Sequence, residues 1–206
     1  MRFSLRAPEH RAFDENSSSL RIAKAAKRVF LRAGDADFSM RNVAKEAGMS
    51  MGAVQHFYPT RDRLMAAMLE YVVNEYEAAY ERVFKELPFN GEARLLGVID
   101  YLVLDITRAE TRQFFFALWS LGGHNKFAAA LVEEMYTHHR RNLAAFIGAA
   151  RPGLSEERCF EAALQIAALI DGLMLFTGPG TKHFTSKAAL GRTVKAAVKK
   201  LLADSE

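Results

Sequence analysis

The residues best placed to do chemistry lie between Ser39 and Arg61. Ser39 and Ser50 stand where two short apolar periods begin, and a serine hydroxyl beside the free N–H groups of a helix start attracts anions. Arg41, in the first turn of the first of these helices, can reach a phosphate or the O6/N7 edge of guanine, the commonest specific arginine contact. Met51, Gly52, Ala53, Gln55 and His56 share the outward side of the second helix. They are small or neutral, so they can enter a major groove without repulsion. Arg61 adds a fixed positive charge beside them. Together these groups suit a polyanion: charged and hydroxyl contacts flanking a neutral reading surface. No nucleophile–base pair, glycine-rich phosphate loop or pair of catalytic carboxylates stands out, so neither an enzyme nor a cofactor is expected. Glu134 and His138 lie four apart on a helix with His139 adjacent, but a metal site needs three or four converging ligands, and none is expected. The lone Cys159 forms no disulfide within the chain and suits a reducing cytoplasm.

The elements that must position these residues are helical throughout. A first helix is predicted from an N-cap at Ser19 to about Ala33, with Ile22, Ala26, Val29, Phe30 and Ala33 on one face. Gly34 ends it. Ser39 starts a short second helix with Met40, Val43, Ala44 and Ala47 inward, and Gly48 closes it. A third helix follows Ser50, with Val54, Phe57 and Tyr58 inward, and Pro59 stops it. Thr60 caps a long fourth helix, about 61–86. Further helices are predicted near 91–108, 110–121, 125–149, 155–177 and 185–203, which makes an all-α chain of about nine helices. Residues 1–16 read as a flexible arm.

Of the 206 residues, 50% are apolar and 25% charged, a globular composition. The formal charge of +4 is unevenly spread. Residues 1–65 hold 12 Lys/Arg against 7 Asp/Glu, whereas 66–206 hold 16 against 17. The excess positive charge thus lies with the candidate reading surface. The apolar stretch 162–176 is interrupted by Gln165 and Asp171, short of the roughly 20 residues a bilayer span needs, and no membrane association is expected.

Two short helices joined by a tight turn at Gly48 form a helix-turn-helix over 39–58. Ala44 is small enough for close helix crossing, and Val54 locks the second helix onto Val43 and Ala47. The stretch Asn42-Val43-Ala44-Lys45-Glu46-Ala47-Gly48-Met49-Ser50-Met51-Gly52-Ala53-Val54, followed by Phe57-Tyr58 and Arg61-Asp62-Arg63-Leu64, resembles the N-terminal domain of tetracycline-repressor-type (TetR family) transcription regulators. The resemblance covers about 17–77, including Ala25-Ala26 and Val29-Phe30 of the first helix. Gln55 stands where the family usually has tyrosine, and Arg61 where it has lysine. The resemblance implies a cytoplasmic repressor, working as a homodimer on double-stranded DNA at a palindromic operator, with a DNA-binding domain at 17–77 and a ligand-sensing and dimerising domain at 78–206.

Beyond residue 77 the resemblance is mainly architectural, although Leu164 to Leu173 is similar to the branch that includes betaine-responsive repressors. The family's last two helices dimerise, which nominates Leu164, Ala168, Asp171, Leu175, Val194 and Val198 for the interface. Burial of the nearly all-apolar 155–177 helix within one subunit is the alternative. For an unidentified small-molecule effector the candidates are Tyr71, Asn74, Tyr101, Phe115, Trp119, His139 and Asp171, since pockets combine apolar walls with a few polar groups. A plain hydrophobic core explains the aromatic residues equally well. An effector-independent regulator and a small helical enzyme or carrier remain as alternative readings.

Overall fold

A computed structural model of the chain describes residues 17–34, 37–87, 90–181 and 186–203. The proposed arm at 1–16 lies outside the described residues. Among those described there are nine α-helices and no strand: α1 Ser18–Ala33, α2 Met40–Ala47, α3 Met51–Phe57, α4 Arg61–Glu86, α5 Gly91–Ile106, α6 Ala109–Gly122, α7 Lys126–Ala150, α8 Glu156–Leu173 and α9 Lys187–Ala203. A 3₁₀ turn, Met174–Phe176, follows α8.

Local hydrogen bonds explain where the helices start and stop. Ser17, not Ser19, caps α1: its Oγ accepts from Leu20 N at 3.1 Å, and the Ser19 hydroxyl donates to it at 2.9 Å. Thr60 Oγ1 accepts from Arg63 N at 3.2 Å at the head of α4. Asn90, Ser155 and Ser186 do the same for α5, α8 and α9. The fifth helix ends earlier than its apolar period suggests, because the Thr107 hydroxyl turns back onto Leu104 O at 2.7 Å. The tail of α8 tightens into the 3₁₀ turn, and Thr177 Oγ1 there donates to Ile106 O at 3.2 Å.

The chain forms two compact units. One comprises the described residues through Ala78 together with Gln113–Met135; the other comprises Ala79–Arg112 and the described residues from Tyr136 onward. The divisions fall inside α4, α6 and α7. The first unit buries Ile22, Ala26, Val29 and Phe30 of α1 with Val43, Ala44 and Ala47 of α2, Val54 of α3, and Leu64, Met65 and Met68 of α4. Phe30 lies edge-on to Phe38 and to Phe114, at 5.8 and 5.6 Å between ring centres.

In the second unit α5 packs against α8 and α9. A Cβ at Gly91 would collide with the Ala149 carbonyl, so the start of α5 can approach the end of α7 only as glycine. Glu156–Phe176 is the one described stretch long and apolar enough to cross a bilayer, with mean hydropathy 1.7. Its inner face, Cys159, Ala162, Ala163, Ile166, Ala167 and Ile170, is nevertheless core.

Candidate nucleic-acid interface

The reading surface is assembled by α2 and α3. Ser39 Oγ accepts from Asn42 N at 3.2 Å, and Ser50 Oγ accepts from Ala53 N at 3.1 Å. Between the helices Gly48 takes φ +63°, ψ +39°, a left-handed conformation that larger residues resist, and its N–H bonds back to Ala44 O and Lys45 O. Val54 is completely buried, which fixes the rotation of α3 about its own axis. Tyr58 fastens the far end by donating its hydroxyl to Ser19 O of α1 at 3.4 Å, and burial pushes that phenol up to about 12. On the opposite side of α2, Glu46 accepts from Arg28 Nε at 2.6 Å and from Arg32 at 2.5 Å. Hydrogen bonds from these two arginines hold its carboxyl below the usual carboxylate range and tie α2 to α1.

With α3 oriented in this way, Met51, Gly52, Gln55 and His56 are exposed and Ala53 is half-buried. Arg41 and Lys45 of α2 and Arg63 of α4 are exposed cations in the same unit. Arg61 is partly committed: its Nε donates to Phe38 O at 2.9 Å, and its guanidinium lies 5.4 Å from the centre of the Phe38 ring. One expectation is corrected. Phe57 is not part of the inward face; it is 43% exposed, as is Met51, and its ring meets that of His56 edge-on at 5.5 Å. An aromatic followed by a second aromatic and a proline reads as core from type alone. In a seven-residue helix only Val54 has the angular position to face inward.

The seven effector candidates divide between the units. In the first, Tyr71 donates to Glu75 Oε1 at 2.8 Å, and Glu75 also pairs with Lys27. The rings of Phe115 and Trp119 lie 5.8 Å apart. Asn74 Nδ2 is buried without a hydrogen-bond partner. In the second, Tyr80 is fully buried, shares a 3.2 Å hydrogen bond with His139 Nδ1, and meets Tyr101 and Phe146 edge-on at 6.1 and 5.7 Å. Burial, helped by neighbouring His138, lowers His139 to about 4. Asp171, bonded to Tyr136, is raised by burial to about 6. Asp105 and Asp171 both act electrostatically on Tyr80. Tyr101, His139 and Asp171, each half-buried, therefore belong to one polar cluster around the buried Tyr80. Asp105 and His138, both buried, belong to it too; Asp105 carries no spacing signal in the sequence, and the spacing of His138 raised only the question of a metal.

The interface candidates also divide. Leu164 is 51% exposed, Ala168 is exposed and Asp171 half-buried along α8, and Leu175, in the 3₁₀ turn that follows, is 66% exposed. Val194 and Val198 are corrected: each is 1% exposed within the subunit, because the inward stripe of α9 also contains Leu190, Gly191 and Leu202. Among the described residues no group of three or more His, Cys, Asp or Glu converges as metal ligands.

A short helix locked across another, with a neutral open face and cations beside it, is the reading head of a helix-turn-helix DNA-binding regulator. Comparison with known proteins agrees. The model of "Bacterial regulatory proteins, tetR family" matches residues 22–68, and that of "BetI-type transcriptional repressor, C-terminal" matches 92–203. The HTH-type transcriptional regulator BetI of Burkholderia thailandensis is 30% identical over 170 residues, 82% of this chain and 86% of the relative. The HTH-type transcriptional regulator PksA of Bacillus subtilis is 26% identical over 79% of each chain. The crystal structure of a transcriptional regulator from Pseudomonas aeruginosa PAO1 superposes with a TM-score of 0.73 at 23% identity, covering 94% of this chain and 93% of that one. The chain belongs to the TetR family of transcription regulators and has a BetI-type C-terminal part. It is a DNA-binding transcriptional repressor, not an enzyme.

Proposed function

We propose that the repressor acts in the cytoplasm as a homodimer on a two-fold symmetric operator, and that a small molecule bound by its C-terminal part weakens DNA binding. The observation that carries the dimer is the open apolar stripe of α8. Phe160, Leu164 and Ala168 are exposed on a helix whose other side is already core, and Leu175 is exposed in the 3₁₀ turn that follows it. An isologous contact places the same stripe of a second copy against it and removes the exposed leucines from water. Residues 17–77 supply the DNA-binding domain and 78–206 the sensing and dimerising domain. Each reading head uses Gln55 and His56 toward base edges, with Met51, Gly52 and Ala53 allowing close approach. Ser39, Arg41, Ser50 and Arg61 lie toward the flanking phosphates, and Arg41 is also within reach of a guanine edge.

The effector reading is supported by the Tyr80–Tyr101–His139–Asp171 cluster. A half-buried carboxylate with a raised pKa and a half-buried neutral imidazole, both facing the buried Tyr80, are costly to a bundle that has only to pack. They suit a site that recognises a polar ligand. Ligand binding that favours a conformation unsuited to the operator lowers DNA affinity by its differential binding.

Sedimentation analysis of the wild type and of the double variant Leu164→Asp/Leu175→Asp tests the dimer. The expected result is a wild-type dimer and a folded monomeric variant that loses tight binding to a symmetric duplex chosen from a random pool. A wild-type monomer that binds its chosen duplex tightly would overturn it. Thermal-shift screening of metabolites against the wild type and Asp171→Asn tests the effector. A compound that stabilises the wild type selectively and releases the duplex is expected; a full screen without one favours effector-independent regulation.

A further inference from the structure

The recognition helix α3, Met51–Phe57, carries no Lys, Arg, Asp or Glu. It cannot itself make the arginine–guanine contact or present a carboxylate to cytosine, so Gln55 and His56 remain as its polar readers. Against this neutral background the helix leaves two large apolar side chains in the open. Met51 at its first position and Phe57 at its last are each 43% exposed. Phe57 is held in place by its edge-on contact with His56, so little side-chain freedom is lost when a partner arrives. Between them Gly52 is exposed, and a Cβ there would meet nothing within 4 Å. Nothing in the protein requires glycine at that position in the first turn of α3, and glycine loses more backbone freedom there than alanine would. A bare backbone there lets α3 come closer to the floor of a groove than any side chain would.

We infer that Met51 and Phe57 read thymine methyl groups, making T·A pairs at two positions of each half-site a determinant of operator specificity. This rests on the DNA-binding surface described above and adds its chemistry. In the major groove thymine alone presents a methyl group, and it is the one base-edge feature that favours an apolar side chain. The two side chains are six residues apart, roughly 9 Å along a helix rising 1.5 Å per residue. Six residues also turn the helix by about 600°, so the two side chains leave opposite flanks of the open face, about 120° apart, and the axial rise alone spans about three base pairs at about 3.4 Å each.

The test begins with selection of a tight duplex from a random pool by the full-length protein at physiological salt. Thymines in the selected half-sites are then replaced one position at a time by deoxyuridine, which removes only the methyl. Affinities are measured by fluorescence anisotropy for the wild type, Met51→Ala and Phe57→Ala. The expected loss for the wild type is about 4-fold per half-site, about 15-fold when both are changed, as for one methyl-sized group returned to water. That loss disappears at one position in Met51→Ala and at another in Phe57→Ala. Both side chains are exposed, so unchanged melting temperatures verify that the variants fold. A selected duplex on which the wild type does not distinguish thymine from uracil overturns the inference and leaves DNA recognition standing. Variants that retain full discrimination, or that instead alter only the sedimentation of the dimer, also overturn it. Failure to enrich any sequence overturns the operator reading together with this one.

Discussion

At the scale of single residues, Gly52 and Asp171 show what the fold does not ask for. Gly52 has ordinary helical backbone and open space where its Cβ would be, so Gly52→Ala should stabilise the free protein by about 0.5–1 kcal/mol. The same change should weaken operator binding at least tenfold. Calorimetry paired with a binding titration checks both signs, and a variant as tight as the wild type would remove close backbone approach from the mechanism. Asp171 is raised from 3.8 to about 6, so between about pH 4 and 6 the folded state holds a proton that the unfolded chain has lost. Its contribution therefore falls as pH rises through that window. His139, lowered from 6.5 to about 4, works the opposite way: the unfolded chain takes up its proton first, and stability falls as pH drops from about 6.5 to 4. In the wild type the two slopes partly cancel. Asp171→Asn should unmask the His139 slope, giving a melting temperature that rises with pH from 4 to 6.5, and should stabilise the protein at pH 7.5 by up to about 3 kcal/mol. A variant profile parallel to the wild type would contradict this assignment.

Among the elements, α3 depends most on its neighbours. Seven residues are too few for an independently stable helix, so its orientation rests on the Ser50 cap, Tyr58 and the buried Val54. Val54→Ala should cost about 2 kcal/mol through lost burial and the cavity left behind. For a chain of this size each kcal/mol lowers the melting temperature by about 2–4 °C. Operator affinity should fall further than affinity for random DNA, because specific contacts need a fixed helix rotation and phosphate contacts do not. Melting curves and paired titrations measure the two effects. The caps and breaks that define these helices were largely legible: Ser39, Gly48, Ser50 and Thr60 act where residue type and spacing place them. The exposure of Phe57 was not legible, nor was the inward turn of Val194 and Val198, because an apolar residue is compatible with either side of a helix until its neighbours are known.

For the whole molecule, the charge imbalance makes a prediction about salt. The excess of Lys/Arg in residues 1–65 lies with the reading head, which includes the exposed Arg41, Lys45 and Arg63. Operator affinity should therefore fall linearly with salt on a log–log plot, with a slope close to the number of phosphates neutralised. Arg41→Ala should cost about 1–3 kcal/mol on the selected duplex and relax preference at one base pair if Arg41 reads guanine; if it contacts only phosphate, the slope should instead shrink by about 1. Titration across a salt series separates these roles, and a variant unchanged in affinity, preference and slope would leave Arg41 outside the interface. Family membership and the helix-turn-helix were readable along the chain because they depend on local spacing: a capping serine, a left-handed glycine and one buried valine within twenty residues.

The sequence by itself determined the all-helical class, most helix boundaries, the reading head and its charge. All of these follow from interactions between residues a few positions apart. Only the tertiary structure decided which side of each helix stays open. It turned Val194 and Val198 into core, left Leu164, Leu175 and Phe57 exposed, and brought Tyr80, Tyr101, Asp105, His139 and Asp171 into one polar cluster from four separate helices. The physical reason is that burial and desolvation depend on everything that surrounds a side chain, and residues far apart in the chain meet only when their helices pack.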